Sequence, residues 1–397
     1  MDDEFGEIRP YVDTEVPKEL EVLLGDDELI KELSDLAEKY GSGVVRHMPE
    51  FIRKIGIQLL LRNEVRGASD IGGFQRVVRN RVTQIIEGSK HGFSYEGIDN
   101  LRDETGRIDP RGFMFVSTHR DVTLDAVLLN YALGQEGIPT AKYAYRDTFA
   151  SVPWVAQFMR LTQGYLVNTQ FDSQGDRYES HVNLSKYIEI ERSRGINLQI
   201  AERLGRTKDG IDDANPVVIR MMYRAQEVLG EAGIPFSEYI RRLNIVPVSV
   251  SYAVDPTDVM KAKEVLWNIE HRGETYPKSR DEDKKSMIAG IFGFEGARLT
   301  FGTPLREEYE NARQVADELD VQIQSMHHLW ASNYIGLAHD KELPLHIGAE
   351  VRRTTPFSFL EEQAFLARLD AMDPELRPLV TRAYANPVIN KRRHGLF

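Results

Sequence analysis

The stretch Phe113-Met114-Phe115-Val116-Ser117-Thr118-His119-Arg120-Asp121-Val122-Thr123-Leu124-Asp125 decides the fold. Its first five residues form a short apolar run bounded by Gly112 and a polar loop, which predicts a buried strand. Residues 123–134 follow with helical character and stop at Gly134. Strand, loop and helix in that order are the opening of an α/β unit. Working outward, strands are expected at 139–145, 164–167, 197–201, 245–252 and 298–301. Helical segments separate them near 151–161, 178–193, 214–231 and 308–320. The alternation predicts an α/β fold with a mostly parallel sheet flanked by helices, and with added N- and C-terminal helices. In such sheets sites gather at the carboxyl ends of strands.

Four regions are expected. Residues 1–25 are acidic, carry two prolines and read as loosely ordered. Residues 26–105 read as helical, with Leu29, Ile30, Leu33 and Leu36 at helix spacing. Residues 106–310 form the α/β domain, and 311–397 a C-terminal helical region ending in Lys391-Arg392-Arg393-His394. The segment 51–62 mixes apolar residues with Arg53, Lys54 and Arg62; it reads first as a helix covering the core, and second as a surface for an anionic membrane.

The composition excludes several classes. The 397 residues are 41% hydrophobic and 28% charged, enough to build a core. The formal charge of -12 argues against a nucleic-acid binder with a basic surface. Cysteine is absent, so disulfides, thiolate metal sites and a thiol nucleophile are excluded. The acidic start, MDDEFGEIRP, does not read as a signal peptide. No run of about 18 apolar residues occurs, so no membrane-spanning helix is expected. No HExxH, P-loop or GxSxG motif is present; 273–279 lacks the second P-loop glycine. His327 and His328 are adjacent, face different ways on a helix, and are expected to be structural. No metal or other cofactor is expected.

The loop after the first strand holds the chemistry. His119 lies at the sheet's rim near the positive end of the next helix, where a neutral imidazole is favoured as a general base. A nearby carboxylate can fix its tautomer and stabilise the imidazolium. Asp121 and Asp125, four apart, are the two candidates. Each also has a bland role, Asp121 as the helix N-cap and Asp125 in the first turn. A second loop, Ala201-Glu202-Arg203-Leu204-Gly205-Arg206-Thr207-Lys208-Asp209-Gly210, follows another strand. Its arginines, lysine and glycines suit a phosphate, and equally suit a solvated turn.

Taken in order, these segments resemble the glycerolipid acyltransferase superfamily, the glycerol-3-phosphate and 1-acylglycerol-3-phosphate acyltransferases. STHRDVTLDAVLLN is similar to the family's His-Asp block, with Arg120 after His119. Gly164-Tyr165-Leu166-Val167 resembles the second block, AERLGRTKDG the third, Ile245-Val246-Pro247-Val248 the fourth, and Phe301-Gly302-Thr303-Pro304 a later one. The likeness covers roughly 90–305. Here five residues, not four, separate His119 from Asp125, the third block has one extra residue, and Thr169-Gln170 stand where an arginine is usual. The resemblance implies transfer of a fatty acyl group from acyl-CoA or acyl-carrier protein to a hydroxyl of glycerol 3-phosphate or lysophosphatidate. It implies His119 as base, Asp125 (or Asp121) as its partner, and Arg120 or backbone amides beside the oxyanion. It implies substrate contacts at Gly164, Glu202, Gly205, Lys208 and Pro247, with phosphate on Arg146, Arg160, Arg203 or Arg206. It also implies peripheral association with the inner face of a membrane. Two rival readings are a lipid-binding protein that has lost turnover, and a thioester or phosphoester hydrolase.

Overall fold

A computed structural model describes residues 5–41, 43–272, 274, 276–279, 281–344, 350–351, 353, 357–393 and 395. Gly273 and His394, both weighed above, lie outside the described residues. The chain is α/β, and its strands run mostly parallel with helices flanking them. The strands are β1 (Phe93–Glu96), β2 (Met114–Ser117), β3 (Lys142–Arg146), β4 (Gly164–Val167), β5 (Leu198–Ala201), β6 (Ile245–Tyr252) and β7 (Ala297–Phe301). The first helices are α1 (Val16–Leu24), α2 (Asp27–Tyr40), α3 (Gly43–Arg46), α4 (Glu50–Glu64), α5 (Ile71–Gly88), α6 (Leu124–Gln135), α7 (Pro153–Leu161) and α8 (Gln174–Ser193). The others are α9 (Pro216–Leu229), α10 (Phe236–Leu243), α11 (Asp258–Glu270), α12 (Glu282–Phe292), α13 (Ala312–Met326), α14 (Ala331–His339), α15 (Phe359–Asp370) and α16 (Arg377–Arg393). Two compact units divide the chain: residues 1–84 with 142–177, and 85–141 with 178–397.

In the smaller unit, β3 and β4 pair in parallel, Tyr143 opposite Gly164. Residues 5–25 are not loosely held, contrary to expectation. Val16, Leu20, Leu23 and Leu24 recur at helix spacing and are buried on one face of α1. The Leu166 amide donates to the Ile8 carbonyl at 2.9 Å, tying the segment to β4. Helix α2 starts at Asp26, whose carboxylate accepts the Leu29 amide at 2.8 Å. Helix α4 does not cover a core with its apolar side, contrary to the first reading of that segment. Its buried residue is Arg53, while Phe51, Ile52, Ile55, Leu59 and Leu60 are exposed. Arg53 is drawn inward because its guanidinium reaches Ser34 Oγ, the Met48 carbonyl and Glu38.

In the larger unit five strands lie in the order β1-β7-β6-β2-β5. All neighbours are parallel except β6 and β7, which are antiparallel. Strand β1 is a correction to the expectation of helix through residue 105. Phe93 and Tyr95 point inward and alternate with exposed Ser94 and Glu96, a period of two within a short segment. All eight residues of β6 are buried, Ser249 and Ser251 among them, as befits a central strand. The core packs Phe113, Phe115, Leu128, Leu129, Val248 and Phe301, with the Phe115 and Phe301 rings 5.9 Å apart. The C-terminal helices build their own core around Ile335, Phe365, Val380 and Tyr384. Gly336 is required where α14 meets α16, since a Cβ there would lie 2.7 Å from Tyr384 Cβ. Among the described residues no helix is long and apolar enough to cross a membrane.

Candidate functional site

Strands β2 and β5 end side by side, with Ser117 opposite Ala201. The chain leaves both into loops that bind one another. Thr118 is fixed against β6: its amide donates to the Val248 carbonyl, and its Oγ accepts the Val250 amide, both at 3.0 Å. His119 comes next and is half-buried. Its carbonyl accepts the Thr207 amide at 2.7 Å. Its ring Nδ1 lies 3.3 Å from the Arg203 carbonyl oxygen. A carbonyl can only accept, so Nδ1 carries the proton of this contact, and the lone pair of the neutral ring is on Nε2. The two loops singled out in the sequence are therefore one constellation, joined at the imidazole.

The carboxylate expected on His119 is elsewhere. Asp125 Oδ2 accepts the amides of Arg120 at 2.7 Å and Asp121 at 2.9 Å, and its Oδ1 accepts the Tyr252 hydroxyl at 2.6 Å. Asp121 Oδ1 accepts the amides of Thr123 and Leu124, both at 2.9 Å, which is the N-cap role. Asp125 lies in the first turn of α6, where its carboxylate looks back at the amides of the preceding loop. Both acids thus brace the loop that presents the histidine. Burial pushes the Asp125 carboxyl up to about 7, and the neighbouring Asp121 adds to the rise. Burial likewise raises Asp121. Asp121 sits hard against α12, where a Cβ on Gly290 would be 2.8 Å from its Oδ2.

Arg120 does not point at an open oxyanion position. Its Nε donates to Asp212 Oδ2 at 2.9 Å, and its Nη2 to the Gly210 carbonyl at 3.0 Å. Arg206 is buried, with Nη1 on Ser286 Oγ at 2.5 Å. Lys208 pairs with Glu264 at 2.5 Å. Arg203 Nη1 returns to the Ile211 carbonyl at 3.2 Å. Gly205 adopts φ +84°, the left-handed turn that lets the loop reverse. The basic residues of this loop therefore shape it, and the free phosphate cradle expected of them is not formed by Arg206 or Lys208. Glu202 is 1% exposed, and neither carboxyl oxygen has a hydrogen-bond partner among the described residues. Burial raises it well above the ordinary glutamate value, and Asp212 and Asp320 raise it further. Pro247 lies in β6 opposite Val116, and its carbonyl accepts the Gly302 amide at 2.8 Å.

The remaining candidates belong to the smaller unit. Arg160 grips the N-terminal segment, through the Arg9 carbonyl at 3.2 Å, the Gly6 carbonyl at 2.8 Å and the Tyr11 ring. Its expected phosphate role gives way to that structural one. Arg146 rests 3.4 Å from Thr169 Oγ. Gly164 is a packing glycine, since a Cβ would lie 2.8 Å from both the Met159 carbonyl and the Tyr145 ring.

A cavity of about 90 Å³ opens from Arg120, the residue after His119. Thr207, Lys208, Lys261, His327 and Tyr384 are among its lining, and it has room for about three waters. Lys208 and Lys261 there are already paired, with Glu264 and Asp255. Sequence reasoning missed Asp212, which binds Arg120 and Thr207, and Tyr252, which binds Asp125. His327 is buried, with Nδ1 3.5 Å from Ser249 Oγ, and burial lowers its pKa well below the ordinary value. His328 stacks edge-on against Trp330 at 4.8 Å. Among the described residues no group of three or more His, Asp or Glu side chains is placed to hold a metal.

No protein-family model matches the chain, and no curated protein matches it.

Proposed function

We propose that the chain is an O-acyltransferase of the glycerolipid type, moving a fatty acyl group from acyl-CoA or acyl-carrier protein to a hydroxyl of glycerol 3-phosphate or lysophosphatidate. The observation that carries this reading is the imidazole of His119, at the carboxyl end of β2, with Nδ1 on the Arg203 carbonyl. Held that way, Nε2 takes the proton of the acceptor hydroxyl as its oxygen attacks the thioester carbonyl carbon. The tetrahedral intermediate collapses, the C–S bond breaks, and the imidazolium returns the proton to the thiolate. A positioned base of this kind contributes about 10²–10⁴-fold in rate. The Arg203 carbonyl takes the orienting part of the acid partner in a His–Asp pair. It lacks the full negative charge, so it stabilises the imidazolium less.

That difference is also what favours the rival reading, a lipid-binding protein with impaired turnover on the same fold. Transfer of a labelled acyl group from acyl-CoA to glycerol 3-phosphate or lysophosphatidate separates the two. Transfer that His119→Ala removes supports the enzyme. Ligand binding without transfer by the unaltered chain supports the rival.

The same reading takes α4 as a membrane-facing element. Phe51 and Leu59 are 65% and 63% exposed, and with Ile55 they share one side of the helix. No acidic residue of α4 falls on that arc, and Arg62 of its last turn lies on it, paired with Glu21. An exposed apolar stripe with a cationic end suits the interface of an anionic bilayer.

A further inference from the structure

We infer that Asp212 is the positioning residue of His119: it holds the ring in its Nδ1-protonated form by locking the loop that supplies the Arg203 carbonyl, without touching the ring. The inference rests on the proposed part of His119 as the base.

The two oxygens of Asp212 grip the chain on both sides of His119. Oδ2 accepts Arg120 Nε at 2.9 Å, and Arg120 follows the histidine directly. Oδ1 accepts Thr207 Oγ at 2.8 Å, and the Thr207 amide holds the His119 carbonyl at 2.7 Å. Asp212 is itself immobilised: it is buried, and its carbonyl accepts Gln324 Nε2 of α13 at 3.2 Å. The loop between Arg203 and Asp212 closes on itself where Arg203 Nη1 meets the Ile211 carbonyl. The Arg203 carbonyl is therefore placed by a ring of contacts that passes through Asp212. His327 Nδ1 lies 3.9 Å from the same carboxylate. Arg120 is the strong partner, since its Nε and Nη2 both donate to the buried Oδ2, which makes the contact directional and charged. Replacing the carboxylate by an amide leaves that guanidinium buried without its counter-charge. The favourable response is for the loop to move, which takes the Arg203 carbonyl away from Nδ1.

The test reads the ring itself. Proton-coupled 15N NMR of His119 in the unaltered full chain should give a single neutral tautomer with the proton on Nδ1. In Asp212→Asn that single-tautomer signature should be lost to a mixture. Thr207→Val breaks one of the two grips and leaves the Arg120 ion pair, so it should lose part of the signature. It decides the matter if Asp212→Asn does not fold. A folded Asp212→Asn, or in its absence Thr207→Val, that keeps the unaltered signature overturns the inference. Acyl transfer measured on the same samples separates the two proposals. A tautomer that responds to Asp212 in a chain with no transferase activity removes the reaction and leaves the positioning role standing.

Discussion

Arg206 illustrates how far a residue's part depends on where its loop is packed. Read as sequence it is one of four arginines offered for a phosphate; folded, it is buried against Ser286. Arg206→Ala should therefore lower stability, by about 2 kcal/mol for a lost hydrogen bond to a charged group, as measured by urea denaturation. A variant as stable as the parent would return Arg206 to the ligand-contact role. Glu202 makes a second prediction. Its folded-state pKa lies above the unfolded value of 4.5, so folding favours the protonated form. Its contribution is fully present below 4.5 and is lost as pH rises through the folded pKa. Asp125 acts in the same direction between 3.8 and about 7. Glu202→Gln mimics the protonated state. Stability curves taken from acid to mildly alkaline pH should fall less steeply in that variant than in the parent. Parallel curves would show that Glu202 ionises in the fold as freely as in the unfolded chain.

At the scale of elements, the apolar runs of β2, β4, β6 and β7 were legible because a buried strand needs little beyond a short hydrophobic stretch between turn residues. The pairing of His119 with a carboxylate was not. Asp125 braces the loop, and that depends on where the amides of Arg120 and Asp121 point. Asp212 gave no signal, since an acid in the polar stretch Asp209-Gly210-Ile211-Asp212-Asp213 looks like ordinary solvated loop. Strand β1 was hidden in a region whose neighbours are helical. Helix α4 was misread because its arginine, not its leucines, faces inward. That inversion predicts that Ile55→Glu with Leu59→Glu abolishes flotation with anionic liposomes while leaving thermal stability nearly unchanged, since exposed substitutions usually stay within about 0.5 kcal/mol. Failure of the parent chain to float would remove the membrane-facing role of α4.

For the whole molecule, the α/β class and the gathering of loops at the carboxyl ends of β2 and β5 follow from the alternation of strands and helices. Substrate identity does not follow from that architecture, because one fold supports many chemistries and the site alone carries function. Here the site reduces to a histidine oriented by a backbone carbonyl, in a loop braced by Asp125, Asp121 and Asp212. The most direct measurement is acyl transfer from radiolabelled acyl-CoA to glycerol 3-phosphate and to lysophosphatidate by the parent chain and by His119→Ala, with cooperative unfolding checked in both. The account predicts acylated product from the parent and a loss of at least about 10²-fold in the variant, with folding retained. Equal product from a folded His119→Ala would contradict it.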